Sequence, residues 1–186
     1  DKQLEAYEKM QKKDKSQKET NIKNEVKFVK KELQKLKINP DFKENLDLSE
    51  NLKNLNKQLS KVRIEIIKKD KSKNIVKVKK IGNILIREQI LKDFPPKELR
   101  KVIDEGKKDI KSGIVISISI FEDKVGLAVG VSKDLTSKYD AVVLAKAASV
   151  ILGGKGGGGR KDFAQAGGVD KSKIEEAFKE ISKKIS

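Results

Sequence analysis

The spacing of apolar residues changes character near residue 74, so one kind of secondary structure cannot serve the whole chain. Upstream, Ile22, Val26, Val29, Leu33 and Leu36 step by 4, 3, 4, 3, and Leu48, Leu52, Leu55, Leu59, Val62 and Ile66 step by 4, 3, 4, 3, 4. Such a narrow stripe suits a helix that packs against one partner helix. Downstream, "IVKVKK", "NILIREQI", "GIVISISIF" and "KVGLAVGV" alternate with a period of two, as half-buried strands do. The expected division is therefore a helical arm over residues 1–73 and an α+β globular domain over 74–186.

In the arm, "KINPDFKENLD" separates the two stripes. Pro40 turns Asn39 away from helical geometry, and Asp47 or Ser49 is placed to cap the second helix. The economical arrangement is an antiparallel helical hairpin, with a coiled coil between two chains as the alternative. Residues 11–21 carry almost no apolar side chain and read as an exposed or frayed helix.

In the second part, Gly82–Asn83 reads as a hairpin turn. Pro95 and Pro96 open a helix that presents Leu99, Val102, Ile103 and Ile110 on one face. A second hairpin, joined by "EDK", is expected to have one packed face. "DAVVLAKAASVIL" is apolar nearly all round, reads as a buried helix, and runs into the terminating Gly153. Ser172 and Glu175 form a candidate capping box for a last helix that buries Ile174, Ala177, Phe178, Ile181 and Ile185. The expected order is ββαββα, a glycine-rich loop over 153–168, then α, with an antiparallel or mixed sheet and packed helices.

Composition excludes whole classes of chemistry. The chain has neither histidine nor cysteine, which removes Cys/His zinc sites, Ser-His-Asp and Cys-His nucleophiles, and disulfides. A reducing, cytoplasmic compartment is compatible with that, no apolar run is long enough to span a bilayer, and no signal peptide is evident. The chain opens at Asp1 inside a polar helical pattern and reads as a fragment of something longer. Its net charge of +16 invites a polyanionic partner. However, lysine vastly outnumbers the four arginines and isoleucine and asparagine abound, the drift an A+T-rich coding sequence produces without any ligand. The charge also divides evenly about residue 74, so charge alone locates no site.

The remaining feature is "GGKGGGGRKDFAQAGG", Gly153 to Gly168, which holds eight of the thirteen glycines, whereas the first 81 residues hold none. Bare backbone adopts positive φ freely and lets N–H groups converge on an anion. A mononucleotide loop is a poor match. The preceding helix offers its C-terminus, and the pattern G-x-x-x-x-G-K-[ST] is not met. A crossing of RNA sugar-phosphate, with Lys155, Arg160 and Lys161 as counter-charges, fits better. The plainer alternative is a flexible linker, but helices on both sides and the packing residues of "DFAQAGG" argue for a segment inside a domain.

"GGKGGGGRKDFAQAGG" resembles the C-terminal signature of the alanyl-tRNA synthetase family, commonly GGKGGGRPDMAQAGG, and "VGLAVGVSKDLT" resembles the strand and turn before it. The similarity covers about residues 74–186, and the helical stretch matches in kind. One additional glycine, and Lys161 where proline is usual, depart from the pattern. The resemblance implies a DHHA1-like domain that binds the elbow of tRNA(Ala), where D- and T-loops meet, and helps present it to the aminoacylation and editing domains. It also implies partnership with those other domains of the parent synthetase, and a homodimer in some members. The parent ligase would use ATP, Mg and Zn through domains outside this chain, so no cofactor and no catalysis are expected here.

Within the signature, Lys155, Arg160 and Lys161 are expected to contact phosphate, and Gly156, Gly157, Gly158 and Gly159 to allow close backbone approach. Gln165 would reach a base edge or ribose. Any one of the cations is as well explained as a solvated side chain, and Gln165 as a brace for its own loop. On this reading Gly157→Val weakens RNA binding without altering stability. The rival functions are the substrate-binding DHHA1 domain of a DHH-type phosphoesterase and a pure oligomerisation module. The former usually carries a histidine in its glycine motif, which is missing here.

Overall fold

The computed structural model describes all 186 residues and resolves them into two compact units, residues 1–63 and 64–186. The first unit contains helix α1 (Lys2–Lys35) and most of helix α2 (Leu48–Lys69). Every residue of α1 through Asn21 is exposed, including the lysine-rich stretch. Below it, Val26, Val29 and Leu33 are buried with Leu55 and Leu59, ringed by Ile22, Leu36, Leu48 and Leu52. Burial of each such side chain contributes roughly 1.5–3 kcal/mol.

The helices do not form the expected antiparallel hairpin. Lys37 takes φ 59 and turns the chain, and the segment after it runs back along α1, with Lys30 Nζ 3.5 Å from the Phe42 ring centroid. Gln58 accepts from the Asp41 amide at 2.9 Å and donates to the Asn39 carbonyl at 2.8 Å. Asn51 accepts from the Lys43 amide at 2.8 Å. Consequently α2 starts beside Ile22, where Asp47 and Leu48 line the same small cleft, and its Arg63 reaches Glu32 at 3.5 Å. The two helices run in the same sense. Ile38 and Phe42 explain this, since both join the apolar cluster and make the connection a packed layer instead of a turn. Asp47, as expected, caps α2 by accepting from the Glu50 amide at 2.8 Å.

The heptad stripe also ends early. Val62 is only half-buried and Ile66 is 42% exposed, while Ile64 and Ile67 are buried in the second unit with Leu91, Phe94 and Leu99. At about 100° per residue Ile64 lies on the opposite side of the helix from Leu55, so the stripe does not simply continue: a different face of α2 is buried after Arg63. The chain therefore divides between Arg63 and Ile64, inside α2, upstream of the expected 73/74 division.

The second unit is a six-stranded mixed sheet ordered β1-β2-β3-β4-β6-β5. Strands β1 (Asn74–Ile81) and β2 (Ile84–Lys92) form a hairpin around Gly82–Asn83. A short 3-10 turn at Pro96–Glu98 and helix α3 (Leu99–Ile110) then lead to β3 (Ile114–Phe121), which pairs parallel with β2. Strand β4 (Lys124–Val131) returns antiparallel to β3. Helices α4 (Ala141–Ile151) and α5 (Ile174–Ile185) cover one face, packing on Ile114, Ile116, Ile118, Leu127 and Val129. On the other face α3 packs Leu99, Val102 and Ile103 against Val115 and Ala128.

Three local expectations change. The β3–β4 hairpin is buried on both faces, with Ser117 and Ser119 fully inaccessible. Ser117 donates to Gln89 Oε1 at 3.2 Å, and the small residues of β4 let the next layer approach: an added Cβ would lie 2.6 Å from Pro96 at Gly126 and 2.4 Å from Ile103 of α3 at Gly130. Helix α4 is not buried all round: Val143, Lys146 and Val150 share an exposed face, because no further layer lies beyond it. Asp170, not the Ser172–Glu175 box, caps the last turn-and-helix by accepting from the Ser172 amide at 3.0 Å. Ile174, Ala177, Phe178, Ile181 and Ile185 are all buried as expected.

Candidate nucleic-acid interface

The glycine-rich stretch is a β-hairpin, not a loop. Strand β5 (Gly157–Arg160) pairs antiparallel with β6 (Phe163–Gly168), and β6 in turn pairs with β4, making β5 the outer edge of the sheet. Glycine has low strand propensity, so nothing in its side chain predicts this; the partner strand "FAQAGG" imposes it. Phe163 and Ala164 are buried, while all four residues of β5 are exposed.

Helix α4 sets the approach. Asp140 caps it by accepting from the Val142 amide at 2.9 Å, and Leu144, Ala145 and Ala148 seat it on the sheet. At its end the buried Ser149 hydroxyl donates to the Gly167 carbonyl at 2.6 Å and accepts from the Gly156 amide at 3.3 Å. One serine therefore fastens both arms of the stretch. At the far end the Lys161 carbonyl accepts from the Ala141 amide at 2.9 Å, and the Asp162 carbonyl accepts from the Val131 amide at 2.9 Å. The exposed strip is thus held rigidly at both ends.

The glycines are not equivalent. A Cβ added at Gly157 would lie 2.0 Å from the Gln165 carbonyl oxygen, whereas one at Gly158 would meet nothing within 4 Å. Gly157→Val would disrupt the hairpin itself, contrary to the expectation that it leaves stability unaltered. At Gly158, by contrast, an added side chain enters open space and leaves the fold undisturbed.

Of the cations, Lys155, Arg160 and Lys161 are all exposed around the strip. Arg160 Nε lies 3.4 Å from Asp162 Oδ1, a screened surface pair worth little by itself. Gln165 Nε2 donates to the Pro96 carbonyl at 3.3 Å, so its amide braces β6 against the 3-10 turn before α3. Two basic residues absent from the sequence reading also stand here. Lys107 Nζ donates to the Asp162 carbonyl at 2.8 Å, and the Arg100 guanidinium lies 4.9 Å over the Phe163 ring. Burial pushes the Lys107 ammonium below the usual lysine range, and nearby Arg160 and Arg100 add to that, against Asp162 and Asp104. The only signal for these residues was their seven-residue separation on α3, which puts them on one face without saying what that face meets.

No group of three or more acidic, histidine or cysteine side chains is placed to hold a metal. No helix is long and apolar enough to cross a membrane.

A family model described as the DHHA1 domain matches residues 82–186, which include strands β2 to β6 and the helices that cover them. The chain belongs to the DHHA1 domain family. Within that family its likeness is to alanyl-tRNA synthetases. It is 32% identical to the C-Ala domain of Aquifex aeolicus alanyl-tRNA synthetase, with a TM-score of 0.56, covering 59% of this chain and 98% of that one. It is also 48% identical over 102 residues to the alanine–tRNA ligase of Parvibaculum lavamentivorans, covering 54% of this chain and 11% of that protein. The corresponding figures for Hyphomonas neptunium are 52% over 85 residues, 46% and 10%. The chain thus spans about a tenth of the length of these curated relatives, and its place is with their C-terminal domain.

Proposed function

We propose that this chain is the tRNA-binding C-terminal part of an alanyl-tRNA synthetase. It would bind the tRNA elbow and help present tRNA(Ala) to the aminoacylation and editing domains of the parent ligase. The observation that supports this most directly is β5: an exposed edge of bare backbone, rigidly anchored and flanked by Lys155, Arg160 and Lys161, in a chain similar to a synthetase C-Ala domain.

Each part has a physical role. Lys155, Arg160 and Lys161 neutralise phosphate and release counterions. The strip from Gly156 to Gly159 admits the sugar-phosphate close to the backbone, with Gly158 the unobstructed point. Gln165 serves chiefly as a positioning residue through Pro96. The helical unit, residues 1–63, acts as a separate arm, and the chemistry of the ligase, with its ATP, Mg and Zn, resides in other domains.

Binding of the full chain to a tRNA transcript, compared with a transcript whose D-loop/T-loop contact is disrupted, tests this. Elbow-dependent affinity that falls steeply with salt is expected. Equal affinity for both RNAs, or a flat salt dependence, would reject the reading in favour of an oligomerisation role. Amino-acid-dependent pyrophosphate exchange by the chain would overturn its assignment as a non-catalytic part.

A further inference from the structure

Two faces of the glycine hairpin compete for the polyanion, and the side chains around them differ. Arg160 is paired with Phe163 across β5 and β6, and directly paired residues project to the same face of an antiparallel pair. Phe163 packs in the cluster that contains α3, so Arg160 projects to the α3 side. Arg100 stacks on the same Phe163 ring at 4.9 Å. The Lys107 stem crosses Gly130, where an added Cβ would fall 2.7 Å from Lys107 Cε, and its ammonium reaches the Asp162 carbonyl at 2.8 Å. Three cations from two distant segments therefore gather round the β5–β6 turn, with Asp162 and Asp104 the carboxylates that act on Lys107.

We propose that Arg100, Lys107 and Arg160 form one phosphate-binding subsite, and that the sugar-phosphate of a structured RNA crosses the hairpin on its α3 face. This rests on the RNA-binding reading above and adds to it a face and two residues. Gly158 is paired with Gln165 and shares that face, with open space where its side chain would be. Gln165, tied to Pro96, keeps the floor beside it fixed. The Lys155–Gly156 turn stands at the other end of β5 beside α4, where an added Cβ on Gly156 would lie 4.0 Å from Lys146 Cγ. A phosphate chain that follows the α3 face leaves Lys155 a minor contact.

Titrations of a tRNA transcript with the full chain, read by fluorescence anisotropy at several salt concentrations, test the subsite. Losing two phosphate contacts in Arg100→Gln/Lys107→Gln should make the log–log salt slope shallower by about 1.6 and weaken binding about 40-fold at ~0.1 M salt. Because Lys107 also holds the Asp162 carbonyl, Arg100→Gln alone is measured beside it, with an expected loss of roughly sixfold and an unchanged thermal midpoint. Lys179→Gln/Lys184→Gln, which removes the same charge from exposed positions on α5, should change affinity less than about twofold. Unaltered slope and affinity in both α3 variants, while the wild type binds, would overturn the subsite and leave the RNA-binding reading standing. An equal loss in the α5 control would also overturn it, by showing that only total charge matters. A wild-type chain that does not bind the transcript defeats both.

Discussion

The two edges of the sheet are built on opposite principles. At one edge, β1 carries Ile75, Val76 and Val78 interleaved with Lys77, Lys79 and Lys80. Its conformation is encoded in β-branched side chains, and its lysines discourage another chain from pairing with the open edge. Lys79 Nζ lies 2.6 Å from the Glu88 carboxylate of the neighbouring strand. At the other edge, β5 is Gly-Gly-Gly-Arg. It has no side-chain pattern and no lysine guard within the strand, and it takes its conformation from β6. A strand can therefore be specified by its own side chains or by its neighbour's backbone, and the second way leaves a surface free of side chains.

The largest expected effect tests how strictly β5 depends on its neighbour. Gly157→Ala should destabilise the chain by about 2–3 kcal/mol, because its Cβ cannot be accommodated against the Gln165 carbonyl and Ala166. Gly158→Ala should stay within about 0.5 kcal/mol. Urea unfolding of the two variants measures the difference, and equal midpoints would mean that β5 is not held in register as described. The next effect concerns function. Arg160→Gln should weaken tRNA binding roughly sixfold at ~0.1 M salt, whereas Lys77→Gln on the opposite edge should change it less than twofold. Comparable losses would make the edges electrostatically equivalent and erase the contrast. Smaller again, Val78→Gly should cost about 1 kcal/mol, because at this edge glycine removes the residue that favours the strand.

The same contrast explains what was legible in the sequence. Strands β1 to β4 announced themselves by alternation, and the inward faces of α3 and α5 by helical spacing, because in each case the residue's own side chain does the packing. Strand β5 reads as a loop from sequence because glycine records nothing of its surroundings. The sense of α1 relative to α2 was missed for a related reason: Ile38 and Phe42 lie in a connection without periodicity, yet they turn it into a packed layer. At the site, Lys155, Arg160 and Lys161 were visible beside the glycines. Arg100 and Lys107 were not, since only the fold of α3 over Phe163 and Gly130 brings them to the hairpin. Contacts between distant segments leave no local mark.

The smallest effect probes a feature that the two edges share. Just before β1, Asp70 accepts from the Ser72 amide and hydroxyl. Just after β6, Asp170 makes the same pair of bonds to Ser172. The Ser72 hydroxyl and amide hold the Asp70 carboxyl below the usual carboxylate range, and those of Ser172 do the same for Asp170. A carboxyl whose folded pKa is depressed stabilises the fold above its unfolded value near 3.8, and that contribution disappears as pH falls through the lower folded value. Thermal midpoints measured from pH 7 down to about 3 should therefore show a slightly shallower acid decline in Asp70→Asn and in Asp170→Asn than in the wild type. Because both carboxylates lie near the surface, where solvent screens them, the two changes should be small and alike. A clearly larger change for Asp170→Asn would show that the glycine edge, lacking side chains of its own, leans on its flanking turn more heavily than the β-branched edge leans on Asp70.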